Sequence, residues 1–188
     1  MTRIIAGRAK GATLKVPPTG TRPTSDRVRE AIFSSLNHQL NFAGINVLDL
    51  FAGSGALGLE SYSRGAGQVT LVDASAKAVS ICQENARKLG IESVQVLKCK
   101  VNQYLSAVPA VGWDLVFMDP PYDISASEIG QSLELLVPYL TLESIVVLEL
   151  GSRSEKPVLP VGLEVYETKK YGETVIYWIQ LTSPETEV

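Results

Sequence analysis

The sequence predicts an α/β protein whose mostly parallel, seven-stranded sheet ends in an antiparallel hairpin. From residue 45 onward, short β-branched apolar runs alternate with stretches of helical spacing, which is typical of a parallel sheet covered by helices on both faces. A chain of 188 residues with 45% hydrophobic side chains suits one sizeable core. The last two β-rich runs are separated only by Tyr171, Gly172 and Glu173, which indicates a hairpin.

The elements can be assigned in order from these patterns. Residues 1–40 are expected to form a small extension, a hairpin followed by a helix, packed on a core at 41–188. The parts of the extension are strands at 3–6 and 12–16, a linker at 17–24 and a helix capped by Ser25 or Asp26. The strands of the core are expected at 45–50, 68–73, 94–97, 113–118, 144–150, 163–170 and 174–181. The clearest helix is predicted at 75–89, where Gly90 ends it.

Composition excludes several classes of protein. No apolar run approaches the roughly 18 residues that a membrane helix requires. Cys82 and Cys99 are too far apart for a CxxC pair, and His38 is the only histidine, so we expect neither a disulfide scaffold nor a metal site. The early glycines and prolines argue against a transit helix, and the apolar stretch at Ile4 is too short for a secretory signal. A cytoplasmic protein is expected.

Charge is distributed unevenly along the chain. The first 30 residues contain seven lysines and arginines against two acids, whereas the remainder carries 10 against 18. A basic arm on an acidic body suggests that the arm meets a polyanion, although a solvated loop would have the same composition.

A glycine-rich segment follows the first strand of the core. Gly53, Gly55 and Gly58 satisfy the pattern GxGxxG, and Asp73 lies 20 residues beyond the first of them, at the end of the next strand. This pattern is typical of a loop that places a helix N-terminus near an anion and an acid near ribose hydroxyls. A dinucleotide and S-adenosylmethionine both fit it. Asp49 favours S-adenosylmethionine, because a carboxylate can accept from its ammonium and would repel a pyrophosphate.

The segment Asp119-Pro120-Pro121-Tyr122 follows the fourth strand of the core. Consecutive prolines make a rigid turn at the carboxyl edge of the sheet, where ligands bind in such folds. There, Asp119 and the Pro120 carbonyl can accept the two N–H groups of an exocyclic amine, and Tyr122 can stack on a base taken out of its helix. Together with the glycine loop, this turn indicates amino methylation of a nucleobase.

At this point the sequence resembles the bacterial 16S rRNA guanine-N2 methyltransferases of the guanine-966 type, over nearly its whole length. The motifs that carry the resemblance are Arg3-Ile4-Ile5-Ala6-Gly7, Arg22-Pro23-Thr24, Asp26-Arg27-Val28-Arg29-Glu30, Leu48-Asp49-Leu50-Phe51-Ala52-Gly53-Ser54-Gly55, Asp119-Pro120-Pro121-Tyr122 and Lys170-Tyr171-Gly172. The resemblance implies a class I, Rossmann-like methyltransferase that acts on 16S rRNA or the small ribosomal subunit. A monomer is expected, because no exposed apolar stripe is evident in the sequence.

The resemblance also implies roles for individual residues. S-adenosylmethionine would contact Asp49, Phe51, Ala52, Gly53, Ser54 and Gly55, with Asp73 on its ribose. The target amine would lie among Asp119, Pro120, Pro121 and Tyr122. Ribosomal RNA would contact Arg3, Lys10, Arg22, Thr24, Arg27 and Arg29, although Arg27 or Arg29 could instead pair with an acid on its own helix. Related enzymes often have an acid near Lys100 for the adenine amine; without one, the Val101 backbone or the Asn102 side chain would serve.

Three other functions remain open at the level of the sequence. An adenine-N6 DNA methyltransferase shares the Asp-Pro-Pro-Tyr motif, but about 60 residues after it leave little room for a separate sequence-reading domain. An NAD(P) oxidoreductase is disfavoured by Asp49 and by the terminal hairpin. A non-catalytic RNA-binding module would need the basic arm but not the complete segment 119–122.

Overall fold

The computed structural model describes residues 2–17, 25–107 and 112–183. Its strands are β1 (Thr2–Arg3), β2 (Thr13–Leu14), β3 (Asn46–Leu50), β4 (Gln68–Asp73), β5 (Val94–Lys98), β6 (Leu115–Met118), β7 (Ile145–Gly151), β8 (Leu163–Tyr171) and β9 (Thr174–Leu181). Its helices are α1 (Asp26–Gln39), α2 (Ala56–Arg64), α3 (Ala76–Lys88), α4 (Val101–Ala107) and α5 (Ala126–Leu136), followed by a 3-10 turn at Val137–Tyr139.

Seven strands form the main sheet in the order β5-β4-β3-β6-β7-β9-β8. Strand β3 pairs in parallel with both β4 and β6, and the outer parallel pairs are β4 with β5 and β6 with β7. Strand β9 runs antiparallel to its neighbours β7 and β8. The predicted fold class, a mostly parallel seven-stranded sheet with an antiparallel terminal hairpin, is therefore confirmed.

Helices cover both faces of this sheet. One apolar cluster joins the sheet to α1, α2 and α3, with Phe33, Leu36 and Cys82 at 0% exposure. The other joins it to α4 and α5 through residues such as Leu105 and Leu133. Each strand of the centre is thus buried on both sides, which explains its continuous apolar sequence.

The N-terminal hairpin is shorter than the sequence predicts. Only Thr2–Arg3 and Thr13–Leu14 pair as strands, because the chain at Ile5 and Ala6 donates its N–H groups to a side chain of α2 instead. The side chains of Ile4 and Leu14 are buried in the first apolar cluster, so the hairpin packs on the core. Apart from residue 17, the predicted linker lies outside the described residues.

Ser25 is the residue that caps α1, since its hydroxyl accepts from Val28 N at 3.2 Å. The helix is 14 residues long. Within the described ranges, none of the helices has the length and the apolar character needed to cross a membrane.

Candidate active site

Three predicted site segments meet at the carboxyl edge of the sheet. The last paired positions of β3 are Leu50 with Val72 of β4 and Leu50 with Met118 of β6. The segments that follow β3, β4 and β6 therefore leave the sheet at the same edge. These exits are the glycine loop after β3, Asp73 at the end of β4 and Asp119 after β6. The structure brings the expected cofactor loop and the expected catalytic turn together.

The glycine loop turns sharply between β3 and α2. Phe51, Gly53 and Gly55 have φ values of 64°, 57° and 77°, all in the left-handed region. For a residue other than glycine this conformation costs about 1–2 kcal/mol, so the strain at Phe51 is held in place by its surroundings. Part of that restraint is the hydrogen bond from Gly53 N to Asp73 Oδ2, at 2.9 Å.

The three glycines of the motif are suited to their positions for two different physical reasons. A Cβ atom on Gly58 would lie 2.3 Å from Leu71 Cδ2, and one on Gly55 would lie 2.9 Å from Leu71 Cδ1. These two glycines let α2 pack closely on β4. A Cβ on Gly53 would meet no neighbour nearer than the Phe51 carbonyl at 4.0 Å. Gly53 thus borders open space, where a ligand can approach the backbone.

Asp49 is an ionisable group within the core of this site. Its side chain is 2% exposed, and Oδ2 accepts from Gly58 N at 2.9 Å. Burial, together with the nearby charges of Asp119 and Asp73, raises its pKa to about 7, although the hydrogen bond from Gly58 opposes the shift. Because burial disfavours the ionised form of Asp49, a cationic partner would stabilise its carboxylate, and the ammonium of S-adenosylmethionine would be such a partner.

Asp73 organises the loop and has acceptor capacity left for a ribose. Its Oδ2 accepts from Gly53 N and its Oδ1 from Ser75 N, at 2.9 and 2.8 Å. Each carboxylate oxygen has further lone pairs, so hydroxyl donors can still bind. The glycine cradle, Asp49 and Asp73 therefore fit S-adenosylmethionine.

The two residues expected near the adenine ring differ in availability. Val101 begins α4, and its side chain is 8% exposed. Asn102 Oδ1 accepts from Ser132 Oγ at 2.6 Å, which ties α4 to α5. The backbone at Val101 is therefore the better candidate for the adenine contact, because the hydrogen bond to Ser132 holds the Asn102 side chain towards α5.

Residues Asp119 to Tyr122 line a pocket at the end of β6. The turn is closed by a hydrogen bond from Ile124 N to the Pro121 carbonyl at 3.1 Å. The pocket is also lined by Glu149 and Gly151 at the end of β7 and by Ser154 in the segment that follows. The pocket opens into a wider cleft bordered by Tyr122, 151–154 and Glu173.

The tyrosine of this turn lies against a glycine. Its side chain is 63% exposed, and a Cβ atom on Gly151 would lie 3.1 Å from its Cε1. The absence of a side chain at Gly151 lets the Tyr122 ring approach β7 while one face of the turn stays accessible. An accessible ring beside the expected reaction centre is suited to stacking on a base.

The basic residues expected to meet RNA do not share one environment. Arg3, Lys10 and Arg27 are exposed. Arg22 and Thr24 lie outside the described residues. Arg29 is 0% exposed, and its Nη2 donates to the Arg3 carbonyl and to Asp26 Oδ1 at 2.6 and 2.7 Å. The expectation that Arg29 contacts a phosphate is wrong for this conformation, because its guanidinium is buried; the alternative pairing on its own helix is the one observed.

Sequence reasoning missed two buried polar side chains that hold the N-terminal hairpin. Glu60 accepts from Ile5 N at 2.7 Å and from Ala6 N at 3.0 Å, and it is 0% exposed. Asn85 accepts from Lys15 N at 2.8 Å and donates to the carbonyls of Lys15 and Ser54, both at 2.9 Å. Asn85 therefore joins the hairpin to the glycine loop. Its position three residues after Cys82, on the apolar face of α3, was the available signal.

The sheet order, the strained glycine loop with Asp49 and Asp73, and the adjacent proline turn together define a class I methyltransferase that uses S-adenosylmethionine. The chain belongs to the family described as conserved hypothetical protein 95, which it matches over residues 2–180.

Two relatives and a solved structure support this assignment. The chain is 35% identical to the Bacillus subtilis protein YlbH, named as an rRNA methyltransferase, with 92% of this chain and 95% of YlbH covered. It is 33% identical to the ribosomal RNA small subunit methyltransferase D of Escherichia coli strain K12, with 91% and 85% covered. The solved structure named as the Escherichia coli methyltransferase yhhF superposes with a TM-score of 0.82 at 30% identity, covering 97% of this chain and 98% of that one.

Proposed function

We propose that this protein transfers a methyl group from S-adenosylmethionine to the exocyclic N2 of a guanine in small-subunit rRNA. The observation that carries the proposal is the rigid turn from Asp119 to Tyr122, which follows β6 directly beside the glycine loop after β3. The names of the relatives, which specify rRNA and the small subunit, supply the substrate class.

The chemistry required of the protein is to orient an amine. The lone pair of an exocyclic amine is delocalised into the ring, so the nitrogen is a poor nucleophile. Acceptors at Asp119 and at the Pro120 carbonyl would each take one N–H and turn the lone pair out of the ring plane. Bound S-adenosylmethionine supplies an electrophilic methyl group. As the N–C bond forms and the S–C bond breaks, the surplus proton on the amine passes to the Asp119 carboxylate and then to solvent.

A guanine within rRNA must leave its stack to reach this pocket. The exposed Tyr122 ring offers a stacking surface at the mouth of the pocket, which offsets part of the unstacking cost of a few kcal/mol. Arg3, Lys10 and Arg27 are exposed basic groups that would bind phosphates of the same RNA, and we keep Arg22 and Thr24 as proposed contacts. A substrate of this kind implies action in the cytoplasm, and we propose a monomer as the active species.

Methyl transfer to defined substrates tests the proposal. Unmethylated small subunits, naked 16S rRNA and duplex DNA are incubated with labelled S-adenosylmethionine, and the nucleosides are then analysed. We expect N2-methylguanosine in one of the rRNA substrates, lost by at least about a hundredfold in Asp119→Ala. Asp123→Ala is the matched control, since Asp123 is an exposed acid in the same turn that does not line the pocket. Label on DNA adenine would contradict the proposal.

A further inference from the structure

Glu149, near the end of β7, lines the same pocket as Asp119, which follows β6. The last paired residues of β6 and β7 are Met118 and Leu148, so Asp119 and Glu149 each follow one residue later. Glu149 is 8% exposed and shares the pocket wall with the turn from Asp119 to Tyr122. A second carboxyl group therefore borders the space that the target base would occupy.

A cleft connects this carboxyl group to the surface. The pocket that contains Glu149 shares Tyr122, Gly151 and Ser154 with the wider cleft at the mouth. The pocket has a volume of about 10 Å³ and the cleft about 400 Å³, so a base seated in the cleft against Tyr122 would reach Asp119 and Glu149 with one edge of its ring. Glu149 is also the only acid within the apolar sequence of β7, where burial of a carboxylate is costly.

The chemistry of such a position discriminates between purines. Guanine presents the N1–H donor directly beside its N2 amine, whereas adenine presents a lone pair at N1 beside its N6 amine. A carboxylate that faces N1 accepts from guanine and repels adenine. A site built around such a hydrogen bond rejects a base that lacks the donor far more strongly than a purely apolar pocket could.

Resting on the proposed function, we propose that Glu149 selects guanine by accepting a hydrogen bond from N1–H of the extruded base. Asp119 and the Pro120 carbonyl then hold the amine, and Glu149 fixes which edge of the ring faces them. Glu149 thus determines specificity, while the methyl transfer itself takes place at the neighbouring turn.

The test uses 2-aminopurine, which has the amine of guanine at C2 but a lone pair at N1. Once the methylated guanine has been mapped, small subunits are reconstituted with guanine or 2-aminopurine at that position, and kcat/KM is measured for each. For the wild-type protein we expect a preference for guanine of at least about a hundredfold. In Glu149→Gln the amide can donate to N1 as well as accept, so this preference should fall below about tenfold.

Glu143→Gln is the matched control, because Glu143 is an exposed acid just before the opposite end of β7; its preference for guanine should equal that of the wild type. A purely structural role of Glu149 would lower both kcat/KM values together and leave their ratio unchanged, which would overturn the inference. A wild-type ratio near one would also overturn it, even if Glu149→Gln failed to fold. If guanine N2 is methylated but the preference for guanine is the same in Glu149→Gln as in the wild type, only the role of Glu149 is rejected. If the wild-type protein methylates no guanine, the proposed function and this inference are rejected together.

Discussion

The proposed contact between Asp49 and the ammonium of S-adenosylmethionine would couple binding of the cofactor to the ionisation of one buried residue. Burial raises its pKa to about 7, so in the free protein the carboxyl group takes up a proton as the pH falls below that value. The ammonium of S-adenosylmethionine requires the ionised form. We therefore expect the Kd for S-adenosylmethionine to rise by up to about tenfold per pH unit between pH 7 and 5.5, measured by calorimetry. Asp49→Asn should bind more weakly and with a flat profile; an equally flat profile in the wild type would contradict this reasoning.

The same shift has a consequence of opposite sign for folding. The pKa of Asp49 in the fold lies above its ordinary value of 3.8, so the folded state binds the proton more strongly than the unfolded chain does. Ionisation of Asp49 therefore lowers the free energy of unfolding progressively as the pH rises from about 4 to 7. The proposed contact with the cofactor, rather than stability, would explain why a carboxylate is suited to this position.

Gly151 gives a second prediction for a single residue. In Gly151→Ala the new Cβ would lie 3.1 and 3.2 Å from two ring carbons of Tyr122, so the ring must shift by a few tenths of an ångström. Because that ring is exposed, we expect the free energy of unfolding to change by less than about 0.5 kcal/mol. The value of kcat should fall about tenfold, with unchanged affinity for the cofactor. Gly112→Ala, whose Cβ would meet nothing closer than Thr141 Cγ2 at 3.8 Å, is the control.

The sequence predicted some of these residues and could not predict others. Asp49, Asp73 and Asp119 belong to local motifs, where spacing from a strand end fixes their place in the fold. Burial of Arg29 depends on a hydrogen bond to the carbonyl of Arg3, 26 positions away, and on one to Asp26 in the same helix. Local spacing showed that Arg29 could pair with Asp26, but only the packed structure decides between that pair and a surface position.

At the scale of elements, Asn85 of α3 links the N-terminal hairpin to the glycine loop. Asn85→Ala would leave the carbonyls of Lys15 and Ser54 and the N–H of Lys15 without this partner. We expect a loss of about 2–4 kcal/mol in the free energy of unfolding by urea titration and a weaker affinity for S-adenosylmethionine. Gln83→Ala, at an exposed position of the same helix, should change neither quantity.

Elements themselves were largely predictable, with informative exceptions. Alternation of apolar runs and helical spacing located the strands of the core, because burial on both faces leaves a strong local pattern. The N-terminal strands were predicted too long. The apolar residues Ile5 and Ala6 continue the pattern of the first strand, but their N–H groups donate to the Glu60 carboxylate rather than to another strand. A hydrogen bond between residues more than 50 positions apart leaves no periodic pattern in the sequence.

At the scale of the whole molecule, the separation of charge along the chain predicts how RNA binding responds to salt. Single substitutions of Arg3, Lys10 or Arg27 to glutamine should each weaken binding and reduce the slope of log K against log salt by about 0.7–0.9. Arg87→Gln is the control, because Arg87 is an exposed arginine in the last turn of α3, outside the N-terminal segment and next to Gly90 and Val94. Filter binding at several salt concentrations gives the slopes. If all three exposed variants kept the wild-type slope, the arm would have no role in phosphate binding.

The attachment of the N-terminal hairpin leaves unusual freedom for sequence change. Glu60 holds this segment by the main-chain N–H groups of Ile5 and Ala6, and Asn85 holds Lys15 in the same way. Backbone groups are common to every residue except proline, so the exposed side chains of the segment can be exchanged while its anchoring stays intact. Over evolutionary time, such a surface can change its side chains while its attachment to the core stays the same, which suits a segment that we propose to bind RNA.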